Sequence, residues 1–294
     1  MRSCVCDPVG RLVFEMLDQI TPVILTYNEA PNIARTLAKL AWARDIVVVD
    51  SFSDDQTLSI ALRAPNVRVF QRKFDCLANQ WNFAIGETGI TSEWALALDA
   101  DYMVTSELRD EMAKLQPDSA TNGYRVRFGY SVNGHRLRGS AYPPSVVLYR
   151  RRGATYFQDG HAQRLSIDGV VETLQSIIVH DDHKDLDQWL TAQGRYAKLE
   201  VEKLRRAKWG ELGWSDRIRR LRIVAPFAML IYCLVFRGLI LDGRAGFSYA
   251  FQRMLAELLL SIYMFQPPED ERVAADGESS DKETPRPVFI AAKQ

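Results

Sequence analysis

The chain has 294 residues with 37 basic and 37 acidic side chains, and this balance excludes a protein whose main task is to coat nucleic acid with cations. A composition 47% hydrophobic and 25% charged is that of a packed fold and excludes a chain disordered throughout. The four cysteines (Cys4, Cys6, Cys76, Cys233) are too scattered for a disulfide framework, and Cys4-x-Cys6 lacks a second ligand pair, so incidental thiols in a reducing compartment are expected.

In chain order, residues 1–20 read as an N-terminal extension. Asp7 and Pro8 interrupt it and no apolar signal follows, so the main domain is expected to remain cytoplasmic. Pro22-Val23-Ile24-Leu25-Thr26 is a compact buried-strand signal. Asn28-Glu29-Ala30-Pro31 then supplies helix-start chemistry, and Ile33, Leu37 and Leu40 repeat on one helical face. Ile46-Val47-Val48-Val49 is a second strand ending at Asp50, and Ser53 with Gln56 reads as a capping box for the next helix. Val67 to Phe70 is a third strand, Leu77 to Glu87 a helix, and Trp94 to Leu98 a fourth strand running into Asp99-Ala100-Asp101. This alternation predicts an α/β fold with a mostly parallel sheet, whose ligands gather at the carboxyl ends of the strands.

Beyond Pro117 shorter β-like runs, Tyr124 to Tyr130 and Ser145 to Tyr149, read as the second half of the same domain, residues 21–185. Residues 186–266 read as a helical region. A polar helix from Leu186 to Arg206 leads into a basic cluster of Lys203, Arg205, Arg206, Lys208, Arg217, Arg219, Arg220 and Arg222. The apolar run Ile223 to Phe236 is shorter than the roughly 20 residues of a spanning helix. A second run, Phe247 to Phe265, contains Gln252, Arg253 and Glu257. An interfacial or re-entrant helical pair is expected, with the basic cluster among anionic headgroups, each cation contributing about 1 kcal/mol. Residues 267–294, rich in Pro, Glu, Asp and Ser, read as a disordered tail.

The chemistry concentrates at strand ends. Asp99 and Asp101, one residue apart where a buried strand leaves the sheet, can hold a hard divalent cation, Mg²⁺ or Mn²⁺, which in turn takes phosphate oxygens. Asp50 and Glu29 offer acceptors for a base or ribose near the same edge. Neither G-x-x-x-x-G-K-[ST] nor G-x-G-x-x-G is present, which weakens kinase and dehydrogenase readings. His180-Asp181-Asp182-His183 reads mainly as loop and cap residues before the Leu186 helix, with His180 a further candidate to face the metal.

Thr26-Tyr27-Asn28-Glu29, Val47-Val48-Val49-Asp50-Ser51 with Ser53 and Asp54, Asn82-Phe83-Ala84 and Leu98-Asp99-Ala100-Asp101 together resemble the ordered motif series of family 2 glycosyltransferases with the GT-A fold, a Rossmann-like sheet. Phe236 to Phe247 is similar to the C-terminal region of the lipopolysaccharide-core β-1,4-glucosyltransferase branch. The resemblance implies that Thr26, Asn28 and Glu29 border the nucleoside and that Asp50 contacts base or ribose. It also implies that Asp99 faces ribose and diphosphate while Asp101 binds the metal. The reaction it implies is an inverting single displacement from a nucleotide-sugar, with UDP as the family's preferred nucleotide. In Asp159-Gly160-His161, Asp159 stands as the base and His161 as its partner or an additional metal ligand, or the roles are swapped; the glutamate usual after the histidine is here Ala162. Because a Q-x-x-R-W motif is lacking, transfer of one sugar per encounter is expected, to a lipid-linked or envelope glycan at the cytoplasmic face of the plasma membrane. A polyisoprenyl-phosphate glycosyltransferase and a silent nucleotide-binding or membrane-binding scaffold are the alternatives.

Overall fold

The computed structural model describes residues 15–267. The Cys4-x-Cys6 pair, most of the N-terminal extension and nearly all of the tail lie outside the described residues.

A short helix α1 (Glu15–Asp18) leads into β1 (Ile20–Thr26), followed by α2 (Ile33–Lys39), β2 (Ile46–Asp50), α3 (Thr57–Ala61), β3 (Val67–Gln71), α4 (Leu77–Gly86) and β4 (Trp94–Asp99). Strands β3, β2, β1 and β4 lie side by side in parallel. Period-two alternation explains why this half is so apolar. On β4, Trp94, Leu96 and Leu98 enter the core beneath α2, while Ala95 and Ala97 enter the core beneath α4, which also takes Val47 and Val49 of β2. Ile24 and Val48 have no accessible surface, and burial of each such side chain contributes about 1.5–3 kcal/mol.

The remaining strands are β5 (Tyr102–Val104), β6 (Thr121–Val132), β7 (His135–Arg136), β8 (Ser145–Arg150), β9 (Thr155–Asp159), β10 (Ala162–Ser166) and β11 (Val170–His180), with α5 (Ser106–Ala113) after β5. They correct the expectation of a mostly parallel sheet. The main sheet runs β3-β2-β1-β4-β8-β6-β11-β5, and β8 is antiparallel to both β4 and β6, β5 to β11. The sheet is therefore mixed, because the second half is joined by turns and long returns where the first half has helical crossovers. β9 and β10 form a separate hairpin against α4.

The helical region comprises α6 (Leu186–Arg206), α7 (Trp214–Arg220), α8 (Val224–Ile231), a wide π-type turn over Tyr232–Phe236 and α9 (Gly243–Phe265). Asp185 caps α6, accepting from the Gln188 amide at 2.8 Å. Among the described residues no single helix is long and apolar enough to cross a membrane; the α8 and α9 segments form a pair bent by 73°. Gly246 makes that bend possible, since a Cβ there would stand 1.9 Å from the Leu239 carbonyl oxygen. α9 packs on α6 through Leu204, Leu260 and Met264, and on the β6–β7 edge through Leu137, Tyr249 and Ala250.

The basic cluster is only partly a surface feature. Lys203 and Arg219 are taken up by internal carboxylates, Arg205 binds the carbonyls of Tyr263 and Gln266, and Arg220 caps the C-terminus of α6 on the carbonyls of Leu204 and Ala207. Arg222, Arg237 and Arg244 are the exposed cations beside the apolar bend.

Candidate active site

In the parallel half the strand order reverses between β1 and β4, and ligands of open α/β sheets bind outside the carboxyl ends at such a point. Thr26, Asp50 and Asp99 all end strands there.

Asp50 organises the loop on which it sits. It has no accessible surface, and its four acceptor positions are filled: Oδ1 by the hydroxyls of Thr26 (2.9 Å) and Ser53 (2.5 Å), Oδ2 by the Ser53 amide (2.8 Å) and the Gln71 side chain (3.5 Å). Asp50 thus fixes the loop after β2 at the rim of the crevice. The same bonds correct the capping box, because the Ser53 hydroxyl also accepts from the Asn28 amide at 2.9 Å, and α3 begins later, with Asp55 accepting from the Thr57 amide. Asn28 sits at φ 55°, a left-handed conformation that asparagine tolerates, and its side-chain oxygen accepts from the Asp54 amide at 3.1 Å. Thr26, Asn28 and Asp50 are therefore one interlocked wall of the crevice.

Glu29 lies deeper. Its carboxylate meets the Lys184 ammonium at 2.5 Å and the Asn32 side chain at 2.9 Å, and Asn32 also donates to Asp182 at 2.8 Å. Burial works against a charged Lys184, yet Glu29, Asp101 and Asp182 hold its ammonium well above the ordinary lysine range.

Asp101 is buried beside His180, with His180 Nε2 3.4 Å from its Oδ2. Both residues keep one buried polar atom without a hydrogen-bond partner, Oδ1 of Asp101 and Nδ1 of His180. Burial, with Asp99 and Asp182 as negative neighbours, pushes the Asp101 carboxyl up to about 8. Burial pushes His180 down to about 4, leaving a neutral imidazole at neutral pH. Asp99 opens to solvent next to the Tyr102 hydroxyl. Among the described residues no three His, Cys, Asp or Glu side chains form a ready-made ligand cluster. Clustered acidity with an orphaned carboxylate oxygen nevertheless suits a divalent cation, whose charge would relieve both costs.

His161 and Asp159 stand apart from this pair, in a pocket of about 550 Å³ shared with Glu200, Lys203, Asp216 and Arg219. They flank Gly160 in the two-residue turn between β9 and β10. Gly160 is at φ 62°, and a Cβ there would fall 2.2 Å from Glu200 Oε2. Asp159 is bound by Arg164 at 2.6 Å and Lys203 at 3.1 Å. His161 Nδ1 meets Glu200 Oε2 at 2.8 Å, so the imidazole faces a second carboxylate and not Asp101. The imidazole paired with Asp101 in this structure is that of His180. Tyr196 joins the two pockets: its ring contacts that of His161 at 5.5 Å, and it lies within electrostatic reach of Asp99 and Asp101.

Lys184, Asn32, Glu200 and Tyr196 were not singled out in the sequence. Lys184 alone carried a signal, as the cation closing the acidic run Asp181-Asp182-His183-Lys184.

Residues 21–165 match the model of glycosyl transferase family 2. An uncharacterized glycosyltransferase of Rickettsia felis is 34% identical over 97 residues, 33% of this chain and 33% of the relative. Another from Rickettsia bellii is 35% identical over 95 residues, 32% and 31% of the two chains. The match thus spans about a third of the length of these relatives. Among solved structures, S. aureus TarS 1–349 in complex with UDP-GlcNAc is 16% identical with a TM-score of 0.42, over 81% of this chain and 90% of that one. Glucosyl-3-phosphoglycerate synthase from Mycobacterium tuberculosis in complex with phosphoglyceric acid is 14% identical with a TM-score of 0.47, over 70% and 87%. The family model coincides with β1 to β10 and the crevice at their carboxyl ends, so residues 21–165 of this chain form a family 2 glycosyltransferase domain.

Proposed function

We propose that the chain transfers one sugar per encounter from a nucleotide-sugar, a UDP-sugar, to a lipid-linked or envelope glycan, with inversion. The observation that carries this reading is the buried Asp101 carboxylate with an unpaired oxygen, next to Asp99, at the strand end of a family 2 domain. Asp99 and Asp101 would hold Mg²⁺ or Mn²⁺, which when bound neutralises the diphosphate as it leaves. Thr26, Asn28 and Glu29 form the wall toward the nucleoside.

In the displacement, the acceptor hydroxyl oxygen attacks the anomeric carbon and the bond from that carbon to the diphosphate oxygen breaks. The nucleoside diphosphate leaves with the bonding electrons, and the hydroxyl proton passes to a base. His161 is the better base of the two candidates. Glu200 fixes its Nδ1 and leaves Nε2 free, whereas both oxygens of Asp159 are engaged by Arg164 and Lys203. His161→Ala is expected to lower kcat about 100-fold or more while leaving UDP affinity unchanged, measured by steady-state kinetics beside calorimetry. Equal kcat in the variant would remove His161 from the reaction.

The reading as a whole is tested by calorimetric titration of UDP with and without Mn²⁺. Binding that requires Mn²⁺ supports it, and metal-independent or missing UDP binding overturns it.

Membrane attachment at the cytoplasmic face belongs to the same proposal. Around the α8–α9 bend Phe227, Ile231, Val235, Phe236, Ile240 and Leu241 are all exposed, and Arg222, Arg237 and Arg244 flank them. Phe236→Glu with Leu241→Glu is expected to abolish co-sedimentation with vesicles containing anionic lipid. Unchanged sedimentation would refute this docking face.

A further inference from the structure

Helix α9 lies outside the matched domain, yet it carries a cation toward the cleft. Tyr249, Arg253 and Glu257 are spaced four apart and share one face. The ends of this row are anchored: Tyr249 stands edge-on to Tyr130 at 4.6 Å and its hydroxyl accepts from the Ala141 amide at 2.9 Å, while Glu257 is clamped by Arg219 at 2.7 Å. Between them Arg253 lies within electrostatic reach of Tyr130, Tyr142, Tyr249 and Glu257, and of His180, the imidazole beside Asp101. Its Nε is sealed from solvent with no hydrogen-bond partner, and among the described residues no carboxylate forms an ion pair with its guanidinium. The residue as a whole is half-buried, so part of it stays reachable.

A guanidinium is a planar fork of five donors, and holding one unpaired among aromatic rings is costly unless something arrives to fill it. The group that matches the fork is a phosphate, which accepts two parallel hydrogen bonds.

We propose that Arg253 receives a phosphate group at the acceptor end of the cleft. The inference rests on the donor site assigned above to Asp99 and Asp101. The phosphate has two possible sources, the diphosphate of the donor and a phosphate on a lipid-linked acceptor, and one experiment separates them. The folded wild type, Arg253→Gln and Arg253→Lys are titrated calorimetrically with UDP plus Mn²⁺ and, separately, with farnesyl phosphate. A roughly tenfold or greater loss of affinity in Arg253→Gln, with a smaller loss in Arg253→Lys, is expected for one of the two probes. Loss confined to farnesyl phosphate assigns Arg253 to the acceptor, and loss confined to UDP assigns it to the donor diphosphate. Unchanged UDP affinity, together with farnesyl phosphate binding that is unchanged or absent in wild type, overturns the proposal. Arg253→Lys keeps the buried cation, so it decides the outcome should Arg253→Gln fail to fold by circular dichroism. The donor reading fails separately, when wild type itself shows no Mn²⁺-dependent UDP binding.

Discussion

Asp101→Ala is expected to lower sugar transfer about a thousandfold or more and to abolish Mn²⁺-dependent UDP binding, while the protein unfolds at an unchanged or higher temperature. The two halves of this expectation have one cause. Asp101 is a buried carboxylate whose surroundings oppose ionisation, first through burial and then through Asp99 and Asp182. One of its oxygens has no hydrogen-bond partner, the other meets a neutral imidazole at 3.4 Å, and the Lys184 ammonium, paired with Glu29, offsets only part of the cost. In the absence of a ligand, burial costs such a group more than Lys184 returns, so its removal is tolerated by the fold. A carboxylate kept for packing would behave in the opposite way, its alanine variant losing stability while retaining turnover. Steady-state transfer, calorimetry and a thermal melt on the same variant separate the cases. Full turnover with a lowered melting temperature would remove Asp101 from the metal assignment.

How much of this site was legible in the sequence depended on which forces were local. The parallel half was readable because each strand is a short β-branched or apolar run bounded by polar residues. Val47-Val48-Val49-Asp50 announces both a buried strand and the place where it stops. The Leu186 to Arg206 helix matched α6 from end to end because its 3.6-residue pattern is long and Asp185 marks its start. The antiparallel half was only partly readable. β8 inserts between β4 and β6 through pairings far apart in sequence, and no local pattern encodes which neighbour a strand will choose.

The site divided in the same way. Asp99, Asp101 and the Thr26-to-Glu29 wall follow directly from strand ends, so chain order alone placed them together. Their partners do not follow. Asn32 meets Asp182 across 150 residues and Lys184 meets Glu29 across 155, contacts that exist only because β11 returns beside β6 and ends near α2. For the same reason Glu200, four turns into a polar helix, gave no sign of being the partner of His161, and the spacing Asp159-Gly160-His161 suggested a partnership that the turn does not make. In the turn, Gly160 at positive φ sends the two side chains to different partners, Asp159 to cations and His161 to Glu200.

Arg219→Met is expected to destabilise the helical region by about 3–5 kcal/mol, the largest effect on stability of any substitution considered outside the cleft. Arg219 is the knot of α6, α7 and α9: its guanidinium reaches Glu257 at 2.7 Å, Asp216 at 3.4 Å and Glu200 at 3.5 Å. Methionine keeps much of the stem volume but strands Glu257, whose side chain is only 4% exposed and whose hydrogen-bonded cation is Arg219. The cost therefore comes from an abandoned charge more than from a lost attraction, and a double substitution tests this. Arg219→Met with Glu257→Leu should recover most of the stability, giving a large coupling in a double-mutant cycle followed by urea unfolding. Simple additivity of the two losses would show that the knot stabilises by packing alone. The pH dependence supplies a second check. Burial opposes ionisation of Glu200, but His161, Lys203 and Arg219 outweigh it and hold the carboxyl down to about 2. A depressed carboxylate contributes stability that is fully present above its unfolded value near 4.5 and is lost as pH falls through the folded value. With Arg219 removed, less of that depression remains. The gap in stability between wild type and Arg219→Met should accordingly be widest at neutral pH and narrow as the pH falls from about 4.5 toward 2. A gap that stays constant over this range would show that Arg219 acts on the helices without help from the Glu200 charge.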